Sequence, residues 1–462
     1  MISINKNIQS EILMTTMEEL VPEDSIFRKI DKYIDFTFIY DEVKDLYCKD
    51  NGRPSIDPVV LFKIVFIQAL DGLKSMRQTC KKIKVDAEYR WFLGIPFGQD
   101  TPHFSTFGKN YERRFKDTNI FEKIFINIVK QAIKYKLVDG EIFYTDSTHK
   151  KANANKNKYD DCIVHNTKQR RKWLEEEINE ERISQGKKPF EFKDEIEEKH
   201  IKVSTTDKET GYYHRDNKEK GFMYLDHRTV DDKCNIIVDC YITKGNVHDS
   251  EPFIKRAEYI KNIFGFTIKK YAVDSGYLTL DIKKYFIDNN IFGVFGYRRY
   301  GTPESRQEKK KYEYVKELDI YYEKGTGEVL EYKGNIDRNG YKKYENIDKT
   351  KSQRRHIHEE WNELFKKNRL SKEGQELYQK RKEHVERSFA DSKQNHGYRY
   401  AMYKGVQKNQ NYTWLICAAQ NMKNISIKKD NIDSKSPNII QILQKIAKFI
   451  KIIFKKSVQE NL

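Results

Sequence analysis

Three acidic residues stand where their surroundings give them something to do. Asp146 closes the apolar run Ile142-Phe143-Tyr144 in GEIFYTDSTHKKANANK, just before the sequence turns polar and basic. Asp274 closes TIKKYAVD ahead of Ser275-Gly276, and Glu386 lies in LYQKRKEHVERSFADSKQNHGYRY beside the apolar pair Val385 and Phe389. In open α/β sheets, sites form outside the carboxyl ends of strands. If the strands carrying Asp146 and Asp274 are neighbours, the two carboxylates converge and repel one another unless a cation lies between them. Either aspartate alone reads equally well as a helix cap or a turn residue. Glu386 is flanked by Lys382 and Lys393, and a spacing of seven residues is two helical turns, so Glu386 and Lys393 project from one side. Taken from its helix alone, that cluster is also what a solvated ion-pair lattice looks like.

The elements that must hold these acids divide by period. From Asp57 to Phe115 the pattern is helical: DPVVLFKIVFIQAL has apolar residues at i, i+3, i+4 and i+7, Pro58 suits a first turn and Gly72 ends the run. Ser75 and Gln78 form a capping-box pattern for the next helix, and Thr101 with Pro102 predicts another leading into KNYERRF. Such a module of short helices suits DNA binding or a purely architectural role. After Gly140 strands are predicted over Ile142–Ser147, Phe222–Val230, Asn235–Thr243 and Thr267–Asp274, with a last one in FGVFGY. Helices fall between them, one capped by Asp249 or Ser250 and another around Leu280–Asn289. This is a mixed α/β layer. Two stretches interrupt it, a charged helical one from Thr167 to Lys199 and a β-rich one from Tyr312 to Tyr344. A long helix over Lys372–Asn395 follows, and NIIQILQKIAKFIKIIFKK reads as an amphipathic basic tail helix, suited to docking with its lysines in solvent, or to a membrane or DNA.

The 462 residues exceed what one core usually organises, so two or more domains are expected. Lys and Arg number 87 against 70 Asp and Glu, a net charge of +17, which favours a polyanionic partner: nucleic acid first, a membrane surface second. No 18-residue window is apolar and uncharged, and the first twenty residues lack a basic n-region followed by an apolar h-region, which predicts a soluble cytoplasmic protein. The six cysteines form no CxxC pair, so neither a disulfide framework nor a zinc knuckle is indicated. His248 in GNVHDS reads as a structural residue beside a helix cap rather than a ligand.

The ordered blocks GRPSIDPVVLFKIVFIQALDG, YRWFLGIP, HFSTFGKNYERRF, YTDSTHKKANANK, STTD, FMYLDHRTVDD, ITKGNVHDS, YAVDSGY and KEHVERSFADSKQNHGYRYAMYKG carry a family resemblance. The chain resembles the DDE transposases of bacterial insertion sequences from about residue 25 to 425. The resemblance implies an α/β fold: a ribonuclease H-like mixed sheet with a helical insert and a β-rich insert, preceded by an all-helical domain. It implies a helical DNA-binding domain over residues 1–135 and a catalytic domain over 136–425 with inserts at about 165–200 and 300–350. A basic tail over 426–462 would follow. Asp146, Asp274 and Glu386 would then be the catalytic triad holding two Mg²⁺ ions, with Mn²⁺ able to substitute. In such enzymes the metals activate water or a DNA 3′-hydroxyl for in-line phosphoryl transfer. The partners implied are double-stranded DNA, as terminal inverted repeats and target, and a second copy of the chain in a homodimeric active complex. No membrane is involved, and the location implied is cytoplasmic and nucleoid-associated.

The family also carries a tyrosine, an arginine and a lysine that contact DNA. Here Tyr378 and Arg381 keep the spacing of three, and Lys393 follows Glu386 by seven. Arg381, however, precedes Glu386 by five residues where the family has four, and Lys382 occupies that place, so both bases are candidates. On a regular helix, at about 100° per residue, Lys393 lies roughly 20° from Glu386, Lys382 about 40° and Arg381 about 140°. That phase puts the lysines on the glutamate's face. The β-rich insert lacks the cysteines common in similar transposases, so no metal clip is indicated. Two other readings stay open beside the transposase: a repurposed DNA-binding protein without catalysis, and a nuclease or resolvase on the same fold.

Overall fold

The computed structural model describes residues 12, 14–48, 55–167, 170–215, 219–298 and 302–435. The tail helix expected over 438–456 lies outside the described residues. The chain forms two compact units, one of residues 1–142, 226–242 and 384–462, the other of 143–225 and 243–383. No helix among the described residues is long and apolar enough to cross a membrane.

The first unit is mainly helical, and its helices begin where the sequence supplies caps. Asp57 accepts from the amides of Val59 and Val60 to start Pro58–Leu70, and Ser75 accepts from Gln78 to start Met76–Val85. Pro58–Leu70 buries nearly every side chain from Leu61 onward, as an all-apolar helix must. The start expected at Thr101 is displaced: the helix runs Ser105–Asn110, because the His103 ring accepts the Ser105 amide and bonds its hydroxyl. Gly72, at φ +58°, follows the first of these helices so closely that a Cβ there would come within 2.7 Å of the Asn395 carbonyl oxygen.

Through this unit runs a helix that hydropathy does not reveal, Val406–Lys435, packed on Ile26–Tyr33, Pro58–Leu70 and Ile120–Lys134. Its buried face includes Asn409, Gln410, Asn411, Thr413, Gln420 and Asn421. Two of these amides take the place of a strand. Gln410 accepts from the Ile242 amide at 2.7 Å and donates to the Cys240 carbonyl at 3.1 Å, while Asn421 accepts from Ile237 at 2.8 Å and donates to its carbonyl at 2.7 Å. In the segment they border, Ile237–Lys244, four backbone groups are thereby satisfied by side chains of one helix.

A fully buried cation also lies in this unit. Arg228 pairs with Asp226 at 2.8 Å and donates to the Ser388 carbonyl, the Ser388 and Ser392 hydroxyls and the Gln420 amide oxygen. Its guanidinium lies 4.8 Å over the Phe389 ring. Together these contacts fasten the helix Arg387–Asn395.

The strands are β1 (Ile142–Lys151), β2 (Tyr159–Thr167), β3 (Ile196–Ser204), β4 (Gly211–Tyr213), β5 (Gly221–Asp231), β6 (Ile237–Lys244), β7 (Lys270–Val273), β8 (Phe292–Phe295), β9 (Tyr312–Val315), β10 (Ile320–Glu323), β11 (Val329–Ile336), β12 (Tyr341–Glu345) and β13 (Ser352–His356). Six form one sheet in the order β4-β5-β1-β7-β8, with β6 on β5; β4 and β5 are antiparallel, β7 and β8 parallel. Within the second unit the aromatic rings of Phe143, Phe253, Tyr271, Phe286, Phe295 and Phe365 pack against one another in a chain of contacts.

Two expectations about the inserts need correction. The first insert is helical only over Lys172–Ser184; β3 follows and pairs antiparallel with β2 in a two-stranded ribbon from Tyr159↔Ser204 to Thr167↔Ile196. Both strands are polar on two faces and largely exposed, so no apolar alternation announced them. The β-rich insert extends past Tyr344 as a five-stranded antiparallel meander, β9 to β13, around Tyr312, Leu330 and Tyr344. The terminal helix is likewise not continuous: α-helix over Lys372–Lys380, a π-helical turn over Lys382–Glu386, then α-helix over Arg387–Asn395.

Candidate active site

Asp146 lies within β1, which continues to Lys151 and sits between β5 and β7, not at the sheet's edge. The apolar run therefore stops before the strand does. Asp274 is the first residue past β7 and opens the turn Ser275–Tyr277, in which the Tyr277 amide bonds the Asp274 carbonyl at 3.1 Å. Because β1 and β7 are neighbours, both acids reach one cation. Arg381 donates from Nη2 to Asp146 Oδ2 at 2.7 Å, and its Nη1 lies 3.8 Å from Asp274 Oδ1. Tyr378 adds its hydroxyl to the cluster, accepting from Arg381 at 3.0 Å and lying 3.3 Å from Asp274 Oδ1. Gly296 is required beside it, since a Cβ there would approach the Tyr378 hydroxyl to 2.7 Å and Asp274 Oδ1 to 2.9 Å.

A third acid joins from a place the sequence did not suggest. Neither Asp249 nor Ser250 caps the following helix, which starts at Phe253 without a side-chain cap. Asp249 instead accepts from the Ser147 hydroxyl at 2.6 Å. His248 folds its ring back on Ser250, a turn contact in keeping with a structural role. Burial pushes the Asp146 carboxyl up to about 6; the charges of Asp274 and Asp249 push the same way, while Arg381 and the Ser147 amide pull it down. The signal for Asp249 was its place two residues after Val247 in GNVHDS, which reads as a cap.

Glu386 is exposed on the π turn, Lys382 is exposed beside it, and Lys393 is partly buried on the next helix. The phase expected for a regular helix does not hold. A π turn bonds i to i+5 and shifts all that follows relative to what precedes. Arg381, placed far from the glutamate's face by regular geometry, is the base that meets the carboxylates. His384 within the turn is buried, with its Nε2 3.4 Å from Asp232.

Carboxylate oxygens are the donors a hard divalent ion takes, and three neighbouring acids against one guanidinium leave negative charge to balance. That donor chemistry suits a hard divalent cation. Among the described residues no group of three or more His, Cys, Asp or Glu side chains is gathered around one metal position.

Residues 15–113 match the family described as a transposase domain (DUF772), and residues 338–426 match the family described as a transposase DDE domain. No curated protein matches the chain. Two solved structures are similar in part. One is the piggyBac transposase synaptic complex with hairpin DNA, at 9% identity and a TM-score of 0.34, over 89% of this chain and 74% of that one. The other is the Mos1 transposase paired-end complex with left transposon end, at 8% identity and a TM-score of 0.16, over 57% and 73%. Neither superposition is close enough to define a shared fold.

Proposed function

We infer that the chain, which carries a transposase domain match and a transposase DDE domain match, is a DDE transposase that cuts the ends of a mobile DNA element and joins them to target DNA by in-line phosphoryl transfer. One observation carries the assignment of the two aspartates: Asp146 and Asp274, 128 residues apart and at neighbouring strands, share Arg381 as a counterion. Two aspartates so disposed, the first inside a central strand and the second just past the adjacent one, support reading the sheet as ribonuclease H-like. Glu386, at the end of the π turn that follows Arg381, is the third acid of the triad on this reading. The partners are double-stranded DNA and, in the active complex, a second copy of the chain.

Mg²⁺, or Mn²⁺ in its stead, held by Asp146, Asp274 and Glu386 would polarise the phosphoryl oxygens and lower the pKa of the attacking water or 3′-hydroxyl. The residues around the acids do the rest. Arg381 neutralises Asp146 and Asp274 until DNA arrives, and its planar fork then suits a phosphate oxygen pair. Tyr378 orients that fork through its hydroxyl, and Ser147 fixes Asp249 so that its charge stays beside Asp146. Lys382, on the π turn, and Lys393, on the helix after it, supply further positive charge for the DNA backbone.

The test is cleavage of DNA carrying the element's ends by full-length Asp146→Asn, Asp274→Asn and Glu386→Gln, with Mg²⁺ present. Each is expected to lose turnover by roughly 100-fold or more while binding the ends as before. Appreciable cleavage by any one of the three removes that residue from the triad. Strand transfer into target DNA separates a transposase from a nuclease on the same fold.

A further inference from the structure

The second unit contains a cavity of about 1260 Å³ between the β-rich insert and the helices Leu280–Asp288 and Glu359–Leu370. Twelve basic side chains line it against five acidic ones, and of its five tyrosines Tyr297 and Tyr341 are exposed, so the charge and these aromatic faces suit a nucleic-acid strand. One residue of its wall, Gly296, abuts the acid cluster described above. The space a Cβ would fill there is bounded by Asp274 Oδ1 and the Tyr378 hydroxyl.

One lysine in this cavity is held in an unusual way. Lys283 is only 5% exposed, and its ammonium donates to the amide oxygen of Asn362. Asn362 in turn donates to Glu359 at 3.0 Å, so an amide stands between the lysine and that carboxylate. Arg355, 7% exposed, is by contrast fully engaged: it donates to Glu363 at 2.8 Å and lies 3.8 Å over the Tyr314 ring. Burying an ammonium against an amide alone costs more than pairing it with a carboxylate. Its burial lowers the lysine's pKa, with Glu359 opposing the shift. An ammonium so placed on the wall of a basic cavity would be stabilised by an anion.

We propose that Lys283 and Asn362 form a phosphodiester-binding site, and that the cavity receives the DNA strand on one side of the cut as it leaves the acid pair. The proposal rests on the transposase reading and adds which part of the substrate this surface takes. Phosphates meet Lys283 and the exposed Lys366 on the neighbouring helix, and unpaired bases stack on Tyr297 and Tyr341.

The experiment measures binding of a fluorescent thymidine 12-mer to the full chain without divalent metal, across a salt series. The measurement needs neither cleavage nor metal, so it fails or succeeds apart from the triad. Lys283→Met, which replaces a buried charge with an apolar side chain of similar length, is expected to keep or raise the melting temperature. It should weaken the 12-mer severalfold and reduce the log-log salt slope by about 0.7, the share of one single-strand phosphate. Lys366→Glu, on the exposed rim and harmless to the core, is expected to weaken it too. Inorganic phosphate at equal phosphate concentration should compete poorly. Unchanged 12-mer affinity in both variants would overturn the proposal. So would phosphate competing as well as the strand, which would make this a small-anion site.

Discussion

Arg381 and Asp146 are 235 residues apart in sequence and 2.7 Å apart in space. The arginine side chain is 5% exposed and the aspartate 21%, so this pair is desolvated far more than a surface ion pair. Regular helical phase had assigned the neighbouring position to Lys382 and Lys393. The geometry gives the opposite order for their variants. Arg381→Ala is expected to depress cleavage of a pre-bound DNA end by at least about tenfold, the equivalent of about 1.4 kcal/mol. Lys382→Ala and Lys393→Ala should each cost less. Single-turnover rates at saturating Mg²⁺ decide, and a larger loss in either lysine variant would return the role to the lysines.

The same guanidinium should oppose a divalent ion for the two aspartates. Without DNA, Arg381→Met is therefore expected to bind Mn²⁺ severalfold more tightly than the natural protein, although it cleaves more slowly. Calorimetric titration measures this directly. Equal or weaker Mn²⁺ affinity in the variant would mean that Arg381 organises the carboxylates instead of competing for them.

Arg228 and Asp226 are each wholly buried. Removing one partner leaves the other charged in a dry interior, so Arg228→Met is expected to destabilise the protein by about 3–5 kcal/mol. Adding Asp226→Asn should restore part of that loss. Thermal melting of the single and double variants tests the coupling; additive losses would show that the two side chains act independently.

Asp391 gives the stability its acid limb. Burial works against its ionisation, but hydrogen bonds from His396, Gln420 and Asn395 outweigh it and hold the carboxyl well below the usual range. A depressed folded-state pKa contributes stability that is present above the unfolded value near 4 and is lost as pH falls toward the folded one. Asp391→Asn should therefore melt lower than the natural protein at pH 7, and the gap should narrow steadily below about pH 4. A gap that stays constant to pH 3 would assign the effect to packing.

Much of the frame was legible because it follows local rules. Asp57-Pro58 and Ser75 start helices where capping chemistry requires, and β5, β6, β7 and β8 appear within a few residues of their apolar runs. The candidate acids were legible too, since Asp146 and Asp274 interrupt such runs. What stayed hidden depends on partners distant in sequence. Gln410 and Asn421 look like surface residues until β6 is laid beside them. The ribbon β2–β3 has no apolar face, and the π turn at Lys382–Glu386 breaks the very periodicity by which a helix is read. Asp249 carried the signature of a cap and is used instead by Ser147.

The helix Val406–Lys435 packs on three helices from the first third of the chain, so residues 1–135 alone lack part of their core. That fragment is expected to unfold without cooperativity, whereas the full chain is expected to bind duplex DNA with a salt slope near −0.9 for each phosphate neutralised. Circular dichroism melting of the fragment tests the first statement. A sharp, reversible transition would make the helical domain self-sufficient.

The borrowed amides on β6 have a consequence for shortened chains. A strand whose backbone is covered by side chains of one helix becomes an open template when that helix is missing, and such edges join to one another. A product ending before Val406 would present the amide and carbonyl of Ile237, the carbonyl of Cys240 and the amide of Ile242 uncovered, and is expected to self-associate into insoluble aggregates. Gln410 and Asn421 thus guard solubility as well as shape.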